Sequence, residues 1–193
     1  FEDVKRCLDW HFRACSALGR VPNSVPLDLD PKGPPEADWS RVKVPRAEIA
    51  SFVVLQHIWY WRATGDLSVA KEHLPMLERC IFGQELEPDG RLPFHGDETY
   101  RFPGYFFFEQ TRKFPTDYVH LSTLSADSAF EFVAACEGLA EIERELGRER
   151  MADRLTKLAD FVRGATERFY WREDLGFYAP ASSPLSTWQV HPV

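Results

Sequence analysis

Positive charge is in short supply: 23 Lys and Arg stand against 30 Asp and Glu over 193 residues, a net charge of −7. A nucleic-acid surface needs clustered Lys and Arg to neutralise phosphates, so the balance argues against nucleic-acid partners and against anionic membranes. Long apolar runs are missing too. The stretch Ile49 to Tyr60 is broken by Ser51, Gln56 and His57. It falls short of the roughly 20 residues that a membrane-spanning helix requires. Cysteine is sparse, and Cys7, Cys15, Cys80 and Cys136 form no CxxC pair. Cys7 and Cys15 would lie about 12 Å apart along one helix, beyond disulfide reach. Reduced, buried thiols are therefore expected, which tilts the compartment toward the cytoplasm. The opening Phe1-Glu2-Asp3 carries no charged-then-apolar leader, so a targeting segment is expected to have been removed or never included.

Chemical signatures are equally thin. There is no glycine-rich phosphate loop, GxSxG elbow, dinucleotide fingerprint, HExxH or Cys/His spacing, so neither a cofactor nor a metal is expected. The six histidines are scattered singly, with His57 and His73 on helices and lacking a partner at i+4. Asp28-Leu29-Asp30 with Gly33 has a trace of a calcium loop, but its twelfth position is Trp39 where a bidentate Glu is needed.

What remains is a globular composition, 44% hydrophobic and 14% aromatic, read as one domain over 1–193. Apolar residues at Val4, Cys7, Leu8, Phe12, Cys15 and Leu18, closed by Gly19, predict a first helix over 3–18. Five prolines between Pro22 and Pro35 make 20–44 a long loop. A second helix is expected from about Pro45 through Phe52, Leu55 and Ile58 to Thr64, stopped by Gly65. Asp66 or Ser68 would cap a third, from Val69 to about Phe82, with Pro75 kinking it or splitting off its first turn. Beyond a second excursion over 83–124, Ser125 or Asp127 starts a helix through Phe130, Val133, Leu139 and Ile142 to Leu146, stopped at Gly147. Its partner runs over Glu149 to Tyr170, and a short extended piece is expected at Gly176-Phe177-Tyr178.

These pieces repeat. Gly65-Asp66 followed by Ala70, Leu74 and Leu77 matches Gly147-Arg148 followed by Ala152, Leu155 and Leu158, so the unit is a helical hairpin. Short turns at the two glycines make each pair antiparallel. If every hairpin goes up and returns, the long connectors 20–44, 83–124 and 171–193 gather at one end, where a site is expected.

The richest connector segment is His95-Gly96-Asp97-Glu98-Thr99-Tyr100-Arg101. Cleaving a glycosidic bond needs carboxylates, one of them protonated to serve the leaving oxygen. Neighbouring residues of an extended chain point to opposite sides, so one of Asp97 and Glu98 would do chemistry while the other binds a hydroxyl or structures the loop. Tyr100, Phe102, Tyr105, Phe106, Phe107, Phe108 and Tyr118 crowd the same connector, and such rings stack on the C–H faces of sugars. Trp59 to Trp61 lies near the tight turn and is assigned to core packing.

Tyr60-Trp61-Arg62-Ala63-Thr64-Gly65-Asp66, His73-Leu74-Pro75 and Asp89-Gly90-Arg91-Leu92-Pro93-Phe94 together resemble the six-hairpin glycosidases, which fold as an (α/α)6 toroid. Glu145 to Arg148 and Phe169 to Tyr178 have the same character, and the resemblance covers roughly 45–180. It implies an all-α fold of antiparallel hairpins whose inner helices ring a funnel, with catalytic carboxylates on loops that enter it. Carried over, Glu98 is the implied general acid and Asp97 the second catalytic candidate. Asp97 and Arg101 would hold sugar hydroxyls, with His95, Tyr100, Tyr105 and Asp127 as further substrate contacts. The implied reaction is glycoside hydrolysis with inversion on an oligosaccharide, without metal or cofactor.

A closed toroid needs about twice this length. The chain is accordingly expected to be part of a larger catalytic domain, or to complete its ring with the remainder of the polypeptide or a second copy. The rival is a non-catalytic hairpin scaffold that binds a protein or glycan. An isomerase on a related toroid would use His95 and His120.

Overall fold

The computed structural model describes residues 1–18, 21, 47–84, 86–94, 123–179 and 181–182. Among the described residues five helices dominate: α1 (Glu2–Leu18), α2 (Ala47–Thr64), α3 (Ser68–Phe82), α4 (Ala126–Glu145) and α5 (Glu149–Tyr170). Five short strands accompany them: β1 (Pro93–Phe94), β2 (Thr123–Ser125), β3 (Trp171–Arg172), β4 (Phe177–Tyr178) and β5 (Ala181–Ser182). The class is all-α, and α5 spans the residues expected of it.

Two glycines make the tight turns. At Gly147 (φ +71°) the Arg148 N–H donates to the Glu143 carbonyl and the Gly147 N–H to that of Arg144, both at 2.8 Å. This is a Schellman ending, which needs a left-handed residue at its centre. Gly65 (φ +72°) closes α2 by the simpler bond from its N–H to the Trp61 carbonyl, 2.7 Å. Asp66 then accepts the Ser68 N–H at 2.9 Å. It thus supports the start of α3, which runs unbroken through Pro75.

Val53, Val54, Leu55 and Ile58 of α2 are all buried, as are Ala129, Phe132, Ala135, Cys136, Leu139 and Ile142 of α4. A helix apolar on several sides belongs inside, and these two form the centre of the core. Gly138 lets them approach, because a Cβ there would sit 2.4 Å from Ile58 Cδ1. The amphipathic α5 closes over α4 through Leu155, Ala159 and Val162, and α3 over α2 through Leu74, Leu77 and Ile81. Leu8 joins α1 to Tyr60 and Val69.

Several side chains depart from the expected pattern. On α4 the buried ring is Phe132, while Phe130 is exposed and meets Tyr178 edge-on, centroids 5.1 Å apart. Trp59, assigned to the core, is 53% exposed, whereas Tyr60 is buried and Trp61 half-buried. The exposed Cys7 departs from the expectation of buried thiols, which Cys15, Cys80 and Cys136 fulfil.

Candidate functional site

Three connector bases meet in one place. β2 lies between β1 and β5, antiparallel to both, with Phe94 opposite Thr123, Leu124 opposite Ser182 and Ser125 opposite Ala181. The chain entering 95–122, the chain leaving it and the chain following the α5 hairpin are therefore tied together. Strands of two or three residues carry no readable periodicity, which is why the sequence alone shows a loop here.

The approach to β1 is anchored on α5. The Asp89 carboxylate receives Arg91 through two parallel bonds, Nε to Oδ1 at 3.1 Å and Nη2 to Oδ2 at 2.7 Å. The same guanidinium lies 4.3 Å over the Phe169 ring. Gly90 presses against Phe161 and Ala165, where a Cβ would come within 3.0 Å. Bonding to Arg91 pulls the Asp89 carboxyl below its ordinary range, so both groups stay charged.

Asp127 comes just after β2, in the first turn of α4 and half-buried. One turn further, Phe130 begins an aromatic row. Tyr178 meets it and also meets Trp171, whose centroid lies 5.0 Å away. Both polar handles are taken: the Tyr178 hydroxyl donates to Glu167, and the Trp171 indole N–H to Glu173 at 2.8 Å. Phe130, Trp171 and Phe177 nevertheless remain partly open to solvent. The β3–β4 hairpin that carries three of these rings is braced at its turn by an Arg172–Asp174 pair, with bonds of 3.0 and 2.8 Å.

Of the candidate catalytic and sugar-binding residues, Asp127 lies among the described ones. His95, Asp97, Glu98, Tyr100, Arg101 and Tyr105 lie outside the described residues, as do Phe106 to Phe108 and His120.

Two polar clusters escaped the sequence. His57 and His73, 16 residues apart on α2 and α3, face each other inside the core. The Val53 carbonyl can only accept, so His57 Nδ1, 2.7 Å away, carries the proton. His57 Nε2 then accepts from His73 Nδ1 at 2.9 Å, which leaves His73 Nε2 turned toward Asp9 Oδ1 at 3.4 Å. Phe12 stacks on the His73 ring at 4.0 Å. Desolvation lowers both imidazoles, His57 to about 4, so His57 is neutral at pH 7, while Asp9 opposes the shift at His73.

The other cluster joins Glu78 of α3 and Glu143 of α4 to Arg148 in the Gly147 turn. Arg148 reaches Glu78 at 2.5 Å and Glu143 at 3.2 Å. Glu143 is fully buried; desolvation first, then the neighbouring Glu78 carboxyl, raise its carboxyl to about 7.

Among the described residues no group of three or more His, Cys, Asp or Glu is placed to hold a metal, and no helix is long and apolar enough to cross a membrane. An open cavity of roughly 590 Å³ lies between α1, α2 and α3, lined by Cys15, Ala50, Met76, Arg79, Cys80 and Gln84 among others. Burial raises Cys15 to about 11 and Cys80 to about 12, so these thiols are poor nucleophiles. No protein-family model matches this chain, and no curated protein matches it significantly.

Proposed function

We propose that the chain is part of a glycoside hydrolase of the six-hairpin type, its helical hairpins forming an arc of an (α/α)6 toroid, and that it cleaves oligosaccharides at the rim where the connectors meet. The observation that carries this reading is the β1–β2–β5 sheet, which ties both ends of the segment containing Asp97 and Glu98 beside Asp127. Asp97 and Glu98 follow Phe94 by three and four residues. At about 3.3–3.6 Å per residue the chain cannot carry them more than roughly 14 Å from that strand. In the proposal Glu98 protonates the leaving oxygen. Asp97 and Arg101 hold sugar hydroxyls, helped by His95, Tyr100, Tyr105 and Asp127. Inversion requires a second carboxylate roughly 6.5–9.5 Å from the acid, with a water between them.

The row Phe130–Tyr178–Trp171 supplies the apolar faces on which pyranose rings stack, and its pinned polar handles keep the rings in place before a sugar arrives. The test is to incubate the full-length protein with a broad set of oligosaccharides and follow the anomeric protons by NMR. Shorter products released first as the opposite anomer support the reading. Retention of configuration removes the inverting mechanism, and binding without products favours the non-catalytic scaffold. Neither binding nor products overturns both.

A further inference from the structure

We propose that Glu78 and Glu143 share one proton beneath Arg148 and that this proton fastens α3 to the α4–α5 turn, so that its loss loosens the seam. Three elements contribute: Glu78 from α3, Glu143 from α4, and Arg148 from the turn between α4 and α5. Charge arithmetic decides the protonation. Two ionised carboxylates under one guanidinium leave a net negative charge, and Glu143 has no exposure through which water could offset it. An unpaired buried charge is costly enough that the group keeps its proton instead.

Several cations on the adjoining helices are already engaged. On α2, Arg62 is committed to Glu141 at 2.6 Å. On α4, Arg144 donates to Thr156 at 2.9 Å, and on α5, Arg154 lies over the Phe82 ring at 4.7 Å. Proton exchange has a route, since Glu78 and Arg148 are only partly covered and Arg148 lines an open groove at the start of α5 with Glu149, Arg150 and Arg154.

The sign follows from linkage. In the unfolded chain Glu143 ionises near 4.5, whereas in the fold it holds its proton to about 7. The clasp is therefore intact below pH 4.5 and is lost as pH rises through 7. Between these limits the pair should raise the unfolding equilibrium constant on the order of a hundredfold.

The test combines a 13C-carboxyl NMR titration of the protein with denaturant midpoints from pH 4.5 to 8 for the wild type, Glu143→Gln and Glu78→Gln. Gln keeps the size and polarity of the protonated acid, so Glu143→Gln should fold, gain on the wild type as pH rises and exceed it at pH 8. Arg148→Met should move the Glu143 titration still higher. A Glu143 carboxyl that titrates near 4.5, or a Glu143→Gln curve parallel to the wild type, overturns the proposal. So does a Glu78→Gln variant in which the Glu143 titration is unmoved.

Discussion

Arg148 holds Glu143 twice: its backbone N–H donates to the Glu143 carbonyl at 2.8 Å, and its side-chain Nε lies 3.2 Å from the Glu143 carboxyl. One residue thus ends α4 and partners the acid buried in that helix. Removing the guanidinium leaves the buried group without its cation. Arg148→Met is expected to destabilise the fold by about 1–3 kcal/mol, with the larger loss above pH 7, where Glu143 would otherwise ionise. Denaturant midpoints at pH 5 and pH 8 measure the difference.

Gly147 and Gly164 form a contrasting pair on the same hairpin, since nothing stands within 4 Å of a Cβ at either site. Only Gly147 has a positive φ. Gly147→Ala is expected to cost about 1 kcal/mol through backbone strain alone. Gly164→Ala, inside α5, should instead stabilise by roughly 0.4–1 kcal/mol. Thermal melts of the two variants check the opposite signs.

The hairpins were legible because their evidence is local. Spacings of three and four between apolar residues mark α3 and α5, and Gly65 and Gly147 mark where the chain turns. What was not legible depends on which face another element covers. The stretch Glu141-Ile142-Glu143-Arg144-Glu145 offers three equivalent acids, and only packing against α3 selects Glu143 for burial. The His57–His73 contact needs two antiparallel helices in register, so a search for spacing within one helix passes over it. Phe130 and Phe132 exchange roles because α4 buries a broad face of small residues and its first turn meets the β3–β4 hairpin. The connector sheet rests on register between segments far apart in the chain.

The contact between α2 and α4 depends on an absent side chain. Gly138→Ala would drive a methyl into Ile58, with Cδ1 at 2.4 Å and Cγ1 at 3.0 Å. A loss of about 1–3 kcal/mol is expected, despite the better helix propensity of Ala. Combining Gly138→Ala with Ile58→Val should recover part of it, because the clashing Cδ1 is then gone. A double-mutant cycle of chemical denaturation measures the coupling.

The histidine pair gives an acid-side dependence opposite in sign to that of Glu143. His57 takes its proton near 6.5 when unfolded and near 4 in the fold, so the unfolded chain binds more protons between these values. Stability is expected to fall as pH drops from 6.5 to 4. His57→Gln should be less stable at pH 7, and adding it to Glu143→Gln, which removes the opposing dependence, should flatten the profile over that interval. Unfolding midpoints across the range show whether the slope disappears.

The central proposal is tested most directly by reducing-sugar release from the full-length protein with and without Glu98→Gln, on an oligosaccharide that the wild type cleaves. Losing the proton donor should lower turnover by about 10²–10⁴-fold while leaving sugar binding in place. Turnover equal to that of the wild type would contradict the assignment of Glu98 as the acid.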